Sequence, residues 1–396
     1  MSAYAAVITG QGSGAIATIQ LSGASAQAIL EKVFRPTRTK PAEFEVGGIA
    51  LGHIVDGDEI IDQVTVGGEA PSVFTIHCHG NPLIVEAIVK LLERHGVELM
   101  PAEQVLAGVF ATSQSGNAIA VEARLALTTV KTLAGARLIA HQAKAGLSEK
   151  LRHWRQQLQS KSLDGLAGEV RHVLRNSDIA RLLIEGCTVA LIGPAGAGKS
   201  TLLNALAGRE KAIVTGIKGT TRDWVSAEIH LPPLAVTLID TAGFGLVQDG
   251  IDQSAQYRSL EVLAQADVAL LVLDATGPAD QIDGDLSARL AAKRVIPVLN
   301  KSDLPVTLGV GGLPAYDHPP VCISAKQGTG INALTAAIAC TCGVADFDPR
   351  TPVAFSSRQR RLLERLGAAG SPGDAIACID DLLRGPMAPE TAHEPM

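Results

Sequence analysis

One stretch limits the possible folds more than any other. Cys187-Thr-Val-Ala-Leu-Ile192 has the continuous apolar pattern of a buried parallel strand, and it runs directly into Gly193-Pro-Ala-Gly-Ala-Gly-Lys-Ser200. That is the full G-x4-G-K-[ST] pattern in the strand-to-helix setting it requires. Its glycines let main-chain N–H groups turn inward around phosphates, where side chains would block the approach. Lys199 is expected to reach the β- and γ-phosphates of a nucleotide, and Ser200 to offer its hydroxyl to Mg²⁺. The helix that starts near Lys199 adds its positive end. Gly193, Gly196, Ala197, Gly198 and Thr201 complete the predicted cradle.

Later motifs select the base. Asn300-Lys-Ser-Asp303 follows the strand pattern Val295 to Leu299. An aspartate at position 303 accepts from N1–H and the 2-amino group of guanine, whereas adenine would leave the carboxylate unpaired. Lys301 is expected to lay its stem along the base. Ser324-Ala325-Lys326, after the apolar Val321 to Ile323, fits a loop that contacts O6 of guanine. Between these motifs, Gly219-Thr220-Thr221-Arg-Asp223 offers Thr221 as a second protein ligand to Mg²⁺. Asp240-Thr-Ala-Gly243, after the strand Ala235 to Ile239, offers Asp240 to the Mg²⁺ shell and the Gly243 amide to the γ-phosphate. GTP as substrate and Mg²⁺ as cofactor follow. The residues after Gly243 are Phe244 and Gly245, not the glutamine that orients water in many such sites.

At 396 residues the chain is too long for one ordinary core. Tyr4 to Thr9 and Ala15 to Leu21 read as strands around the turn Gly10 to Gly14. Ser25 to Val33 and Pro82 to His95 have helical spacing. From Ala118 to Leu183 the pattern is helical, with breaks near Gly146 and Asp164-Gly165, and Ser356 to Leu383 is helical again. The expected fold is α/β, with a P-loop GTPase domain inserted in an α-helical domain and a small α/β domain ahead of both. Its expected boundaries are 1–112, then 113–184 with 343–396, and the insertion at 185–342.

A net charge of −6 argues against indiscriminate nucleic-acid binding. The basic groups around Arg35 to Lys40, at Lys150, Arg152 and Arg155, and at Arg358, Arg360 and Arg361 read as solvated helix faces or turns. No apolar run approaches the length of a membrane span, and no basic segment precedes an apolar block at the amino terminus. The six cysteines, at 78, 187, 322, 340, 342 and 378, match no zinc or redox spacing. A cytoplasmic protein with reduced thiols is expected. His77 and His79 share a strand face without an evident third ligand, and Asp274 reads as a turn former.

The succession GPAGAGKS, Ala212-Ile-Val-Thr-Gly-Ile-Lys-Gly-Thr-Thr-Arg-Asp223, DTAG, NKSD and SAK resembles the translation-factor-like GTPases. Ile16 to Gly23, Ile76-His-Cys-His-Gly80, Pro101-Ala-Glu103 and Gly146-Leu-Ser148 extend the likeness. Over nearly its whole length the chain resembles the MnmE (TrmE) family of tRNA modification GTPases. The resemblance implies a dimerising, folate-binding amino-terminal domain, and modification of the wobble uridine of tRNA with a flavoprotein partner. It implies a homodimer whose GTP hydrolysis depends on K⁺-assisted pairing of G domains. It places the catalytic carboxylate at Asp252, beside Thr221, and K⁺ ligands at Thr215, Ile217 and Thr220.

Several positions depart from that pattern. Gly196 stands where the family has a K⁺-binding asparagine, and Asp252 is one methylene shorter than the family glutamate. Gln20 and Ser113 replace a folate-site arginine and lysine, and the acidic T-G-E-D stretch before Ile76 is missing. The chain ends Thr391-Ala-His-Glu-Pro-Met396, not C-I-G-K, with Cys378 well away from the terminus. Slow GTP hydrolysis is expected. The alternative is a divergent paralogue that uses GTP as a regulatory switch without modification activity.

Overall fold

The computed structural model describes residues 3–9, 14–37, 46–102, 104–105, 117–160, 162–209, 225–241, 261–278, 281–282, 284–308, 314, 316 and 318–384. They fall into two compact units, Met1–Ser115 and Gly116–Met396.

The first unit is built on a sheet of seven strands: β1 (Ala3–Val7), β2 (Ile16–Ser22), β3 (Phe34–Pro36), β4 (Ile49–Asp56), β5 (Glu59–Ala70), β6 (Val73–His79) and β7 (Val97–Leu99). Their order is β3-β4-β5-β6-β2-β1-β7, antiparallel except where β7 joins β1 in parallel. Ala17, Ile19 and Leu21 on β2, with Phe74, Ile76 and Cys78 on β6, send alternate side chains into one core, as a period of two requires. Helix α1 (Ala26–Val33) contributes Ile29 and Leu30. Helix α2 (Pro82–Arg94) contributes Ile88, Leu91 and Leu92. The Asn81 side chain caps α2 by accepting from Leu83 N at 2.9 Å, and Pro82 fits the first turn, where no N–H partner is needed.

His77 and His79 do not converge on a ligand. His77 Nδ1 meets Thr18 Oγ1 at 3.0 Å, and His79 Nδ1 meets Asp62 Oδ1 at 2.7 Å. Among the described residues no group of three or more His, Cys, Asp or Glu is arranged to hold a metal ion.

The second unit combines a helical core with a nucleotide-binding type of sheet. The helices before the sheet are α3 (Ala118–Ala126), α4 (Leu133–Lys144), α5 (Gly146–Gln157) and α6 (Leu166–Glu185). The strands are β8 (Cys187–Ile192), β9 (Val225–Leu231), β10 (Leu234–Asp240), β11 (Val268–Asp274), β12 (Val295–Asn300) and β13 (Val321–Cys322). Among them lie α7 (Lys199–Arg209), α8 (Gly284–Leu290) and α9 (Ile331–Thr341). The chain then returns to the helical core as α10 (Ser357–Gly367) and α11 (Pro372–Arg384). That core closes around the fully buried Trp154, with Leu151, Val170, Leu363, Leu366 and Ile379. Trp154 also donates its indole N–H to Glu169 at 2.9 Å.

Long-range polar contacts join the halves on either side of the sheet. Glu122 accepts from Arg358 Nε at 2.7 Å, Arg358 Nη2 at 2.9 Å and Gln359 Nε2 at 2.6 Å. Gln142, fully buried, accepts from Leu147 N at 2.8 Å and Val353 N at 3.1 Å, and donates to Thr351 O at 3.1 Å. Lys150 pairs with Glu169, Arg155 with Asp380 and Arg360 with Asp178. These basic side chains therefore work as helix-to-helix ties. Among the described residues no helix is long and apolar enough to cross a membrane.

Replacing Gln142 with Ala removes four hydrogen bonds, one of them to Leu138 O at 3.3 Å, and takes the side-chain acceptor from two buried N–H groups, at a cost of about 2–4 kcal/mol. We expect Gln142→Ala to lower the melting temperature of the full chain by roughly 5–10 °C, measured by circular dichroism.

Candidate functional site

The sheet order β13-β12-β11-β8-β10-β9 is parallel except for the edge strand β9. From β8 the chain fills one side of the sheet, through β9 and β10, before crossing to β11, β12 and β13 on the other. β8 is thus the point at which the winding reverses, and ligands of open α/β sheets bind beyond the carboxyl ends of strands at such a point. The ends of neighbouring strands coincide in register. Asp240 lies opposite Leu191, and Asp274 lies opposite Asn300. Every described residue predicted for the site lies at this edge or on the loops and helix that leave it.

β8 is buried along nearly its whole length and ends at Ile192, where the glycine-rich loop begins. Gly198 has φ 92°, and a Cβ there would collide with Asn300 Nδ2, so only glycine allows this approach. Ala197 is buried, and Thr201 is exposed on the first turn of α7. Lys199 is 7% exposed, and its Nζ donates to the carbonyl oxygens of Gly193 and Pro194, both at 3.0 Å. Burial pushes its pKa down, and the Asp240 carboxylate opposes the shift.

Ser200 Oγ donates to Asp240 Oδ2 at 2.5 Å. The other carboxylate oxygen, Oδ1, is buried and has no hydrogen-bond partner among the described residues. A buried carboxylate oxygen left unpaired is costly, and a bound cation would satisfy it. Next to Asp240, Thr241 Oγ1 donates to Leu191 O at 2.6 Å and ties the end of β10 to β8.

The base-side loops are braced by Asn300, which is 3% exposed. Its Nδ2 donates to Ala197 O at 2.8 Å, and its Oδ1 accepts from Ala325 N at 3.0 Å. Ser302 N donates to Ile323 O at 3.0 Å, a second link between the two loops. Ser324 is fully buried and accepts from Gln327 N at 3.2 Å, while Asp303 and Lys326 are exposed. Gln327 Nε2 stands 3.5 Å from Asp303 Oδ2.

Lys301 has φ 64°, a conformation few non-glycine residues adopt. Its Nζ pairs with Asp274 Oδ2 at 2.6 Å. Asp274 Oδ1 also accepts from Thr276 N at 2.9 Å and Thr276 Oγ1 at 2.7 Å, so it does form the turn expected of it. Burial acts to raise the Asp274 pKa, but the bonds from Lys301 and Thr276 outweigh it and hold the carboxyl below its usual range. Its tie to Lys301, like the part played by Thr241, is a feature that sequence reasoning missed. Asp274 belongs to no motif, and Thr241 lies within D-T-A-G without a role assigned to it there, though both sit at the end of a strand pattern. The predicted residues Thr215, Ile217, Thr220, Thr221, Gly243 and Asp252 lie outside the described residues, as do Ser113 and Trp224.

Residues 188–301 match the family described as 50S ribosome-binding GTPase, and residues 3–111 match the family described as GTP-binding protein TrmE N-terminus. The tRNA modification GTPase MnmE of Geobacter metallireducens is 32% identical over 373 residues, covering 84% of this chain and 80% of that protein. The protein of the same name from Synechococcus sp. is 32% identical over 412 residues, covering 95% of this chain and 89% of its own length. Bacillus subtilis MnmE is 30% identical over 378 residues, covering 85% and 82%. With its P-loop sheet and TrmE-type amino-terminal unit both in place, the chain belongs to the MnmE family of tRNA modification GTPases.

Proposed function

We propose that the chain binds GTP with Mg²⁺ at the carboxyl edge of the parallel sheet and hydrolyses it to GDP and phosphate, in the service of tRNA modification. The observation that carries this reading is the Asn300 brace, which joins the phosphate loop, the N-K-S-D loop and the S-A-K loop into one surface. Lys199 would exchange two loop carbonyls for phosphate oxygens, a charge-assisted and stronger pairing. Ser200 and Asp240 fit Mg²⁺, since both are hard oxygen donors and Asp240 Oδ1 is unpaired. The bound ion would neutralise charge on the phosphates. Asp303, exposed beside Gln327, would accept from guanine N1–H and the 2-amino group. Lys301, held by Asp274, would line the base plane, and the Ala325 region would face O6. Thr221 and Asp252 are proposed from sequence as Mg²⁺ ligand and water-directing carboxylate, and Thr215 and Thr220 as further nucleotide- or K⁺-side contacts.

A homodimer, a tRNA substrate and a flavoprotein partner are part of the same proposal and are supported by family membership. So is K⁺. Gly196 has φ 77° with open space where a Cβ would point, a conformation that asparagine tolerates, so this position withholds only a side-chain oxygen. Folate fits less well. Gln20 is 5% exposed on β2 and its amide turns to Ser22 Oγ at 3.4 Å, so no cation is offered at that position. No step is drawn through folate.

The deciding experiment is GTP turnover by the full chain in KCl and in NaCl, with Gly196→Asn and Asp252→Ala beside the wild type. We expect slow turnover that K⁺ stimulates further in Gly196→Asn, and a loss of at least tenfold in Asp252→Ala. Tight binding without turnover in either salt would support the GTP-binding switch instead. Asp303→Asn replaces an acceptor with a donor and should shift preference from GTP toward XTP, read by competition binding; a variant still selective for GTP would remove Asp303 from base recognition. Asp274→Ala frees Lys301 from its ion pair and should weaken GTP binding about tenfold, or about 1.4 kcal/mol, by titration calorimetry.

A further inference from the structure

The polypeptide passes between the helical core and the sheet twice. The outward passage is Gly186-Cys187, from α6 into β8. The return is Cys342-Gly343, at the carboxyl end of α9. Both glycines lie in the left-handed region, with φ 91° and 72°, so each passage turns sharply beside a cysteine. The two cysteines are 155 positions apart in sequence and come from different elements, yet Cys187 Sγ and Cys342 Sγ lie 3.6 Å apart. Both are about 1% exposed, and neither is in a disulfide. Neither touches the nucleotide site.

We infer that Cys187 and Cys342 form an oxidative modification site, where a peroxide-class oxidant closes a disulfide that clasps the two passages together. A shift of about 1.5 Å brings the sulfurs from contact to bonding distance. The hydrogen bond shared between the two thiols, aided by the positive charge of Arg294, holds the Cys342 thiol below its usual range. That hydrogen bond and burial push the Cys187 thiol upward. Cys342 is therefore the nucleophile and Cys187 the resolving thiol. Cys342 Sγ attacks one oxygen of hydrogen peroxide, the O–O bond breaks, and hydroxide leaves and takes the thiol proton as water. Cys187 Sγ then attacks the resulting sulfenic sulfur. The S–O bond breaks, the hydroxyl leaves with the Cys187 proton as a second water, and the S–S bond forms. Two thiols and one hydrogen peroxide give one disulfide and two waters. The inference rests on the geometry of the passages and stands whether or not the chain hydrolyses GTP.

The test is non-reducing peptide mapping of the full chain after titration with hydrogen peroxide. Trypsin would release residues 182–199, with Cys187 as the sole cysteine, and residues 327–350, with Cys340 and Cys342. The expected product links these two peptides through Cys342, loses two hydrogens and reverts with dithiothreitol. It should persist in Cys340→Ser and vanish in Cys342→Ser. The oxidised protein should keep its GTP affinity and melt several degrees higher, because the bond closes the loop that holds the whole sheet. Should Cys342→Ser fail to fold, fragmentation of the wild-type cross-linked peptide assigns the sulfur directly. Linkage through Cys340, stable sulfinic acid at Cys342, or unmodified Cys187 and Cys342 after the exposed Cys340 and Cys322 have reacted would each overturn the inference.

Discussion

The nucleotide edge depends on one buried amide. Asn300 presents a donor to a carbonyl of the phosphate loop and an acceptor to an N–H of the S-A-K loop. Those two partners fix which way the amide faces, because the reversed orientation would set oxygen against oxygen. Aspartate would have the same shape but would face the Ala197 carbonyl with a second acceptor. The motif's asparagine therefore works in the scaffold, while Asp303 stands on the exposed side of the same loop. Gly198 belongs to this arrangement, since any side chain there would displace the Asn300 nitrogen.

Charge is handled by the same economy of partners. Lys199 is held by main-chain carbonyls, and Lys301 by a carboxylate at the end of the neighbouring strand. The strained backbone at Lys301 is held by that ion pair and by Ser302 N bonding to Ile323 O. Asp240 is the exception, with one oxygen satisfied by Ser200 and the other without a partner among the described residues.

Much of this could be read from the amino-acid sequence, because the informative features are local. Cys187–Ile192, Ala235–Ile239 and Val295–Leu299 show strand patterns that stop where the functional residues begin, and the helices of both units follow apolar spacing and turn residues. What escaped reading is long-range. Nothing near Gln142 announces that its amide will bond Thr351 and Val353, more than two hundred positions away. Asp274 was legible as a turn former, since Thr276 is two residues on, but not as the partner of Lys301. The Cys187–Cys342 pair has no sequence signal, because thiol proximity depends on where the end of α9 meets the start of β8. The basic clusters illustrate the opposite limit: their pattern could not reveal that Lys150, Arg155, Arg358 and Arg360 face carboxylates on other helices.

The junction of helical core and sheet is gripped as well as linked. Leu138, Ile139, Leu183 and Ile184 from the helices share one continuous apolar core with Val189, Val236 and Ile338 of the nucleotide fold. Asp267, just ahead of β11, accepts from Arg181 on α6 and from Thr188 N on β8. Through it, the helix and the strand that leads to the phosphate loop hold a common carboxylate. The left-handed glycines at 186 and 343 give the two passages rotational freedom, while the shared core and the Asp267 bonds oppose it. A rotation of the sheet against the helices would have to open that core and break both Asp267 contacts together. A close-packed boundary of this kind resists continuous deformation, so the strand that leads to the phosphate loop is set firmly on the helical core.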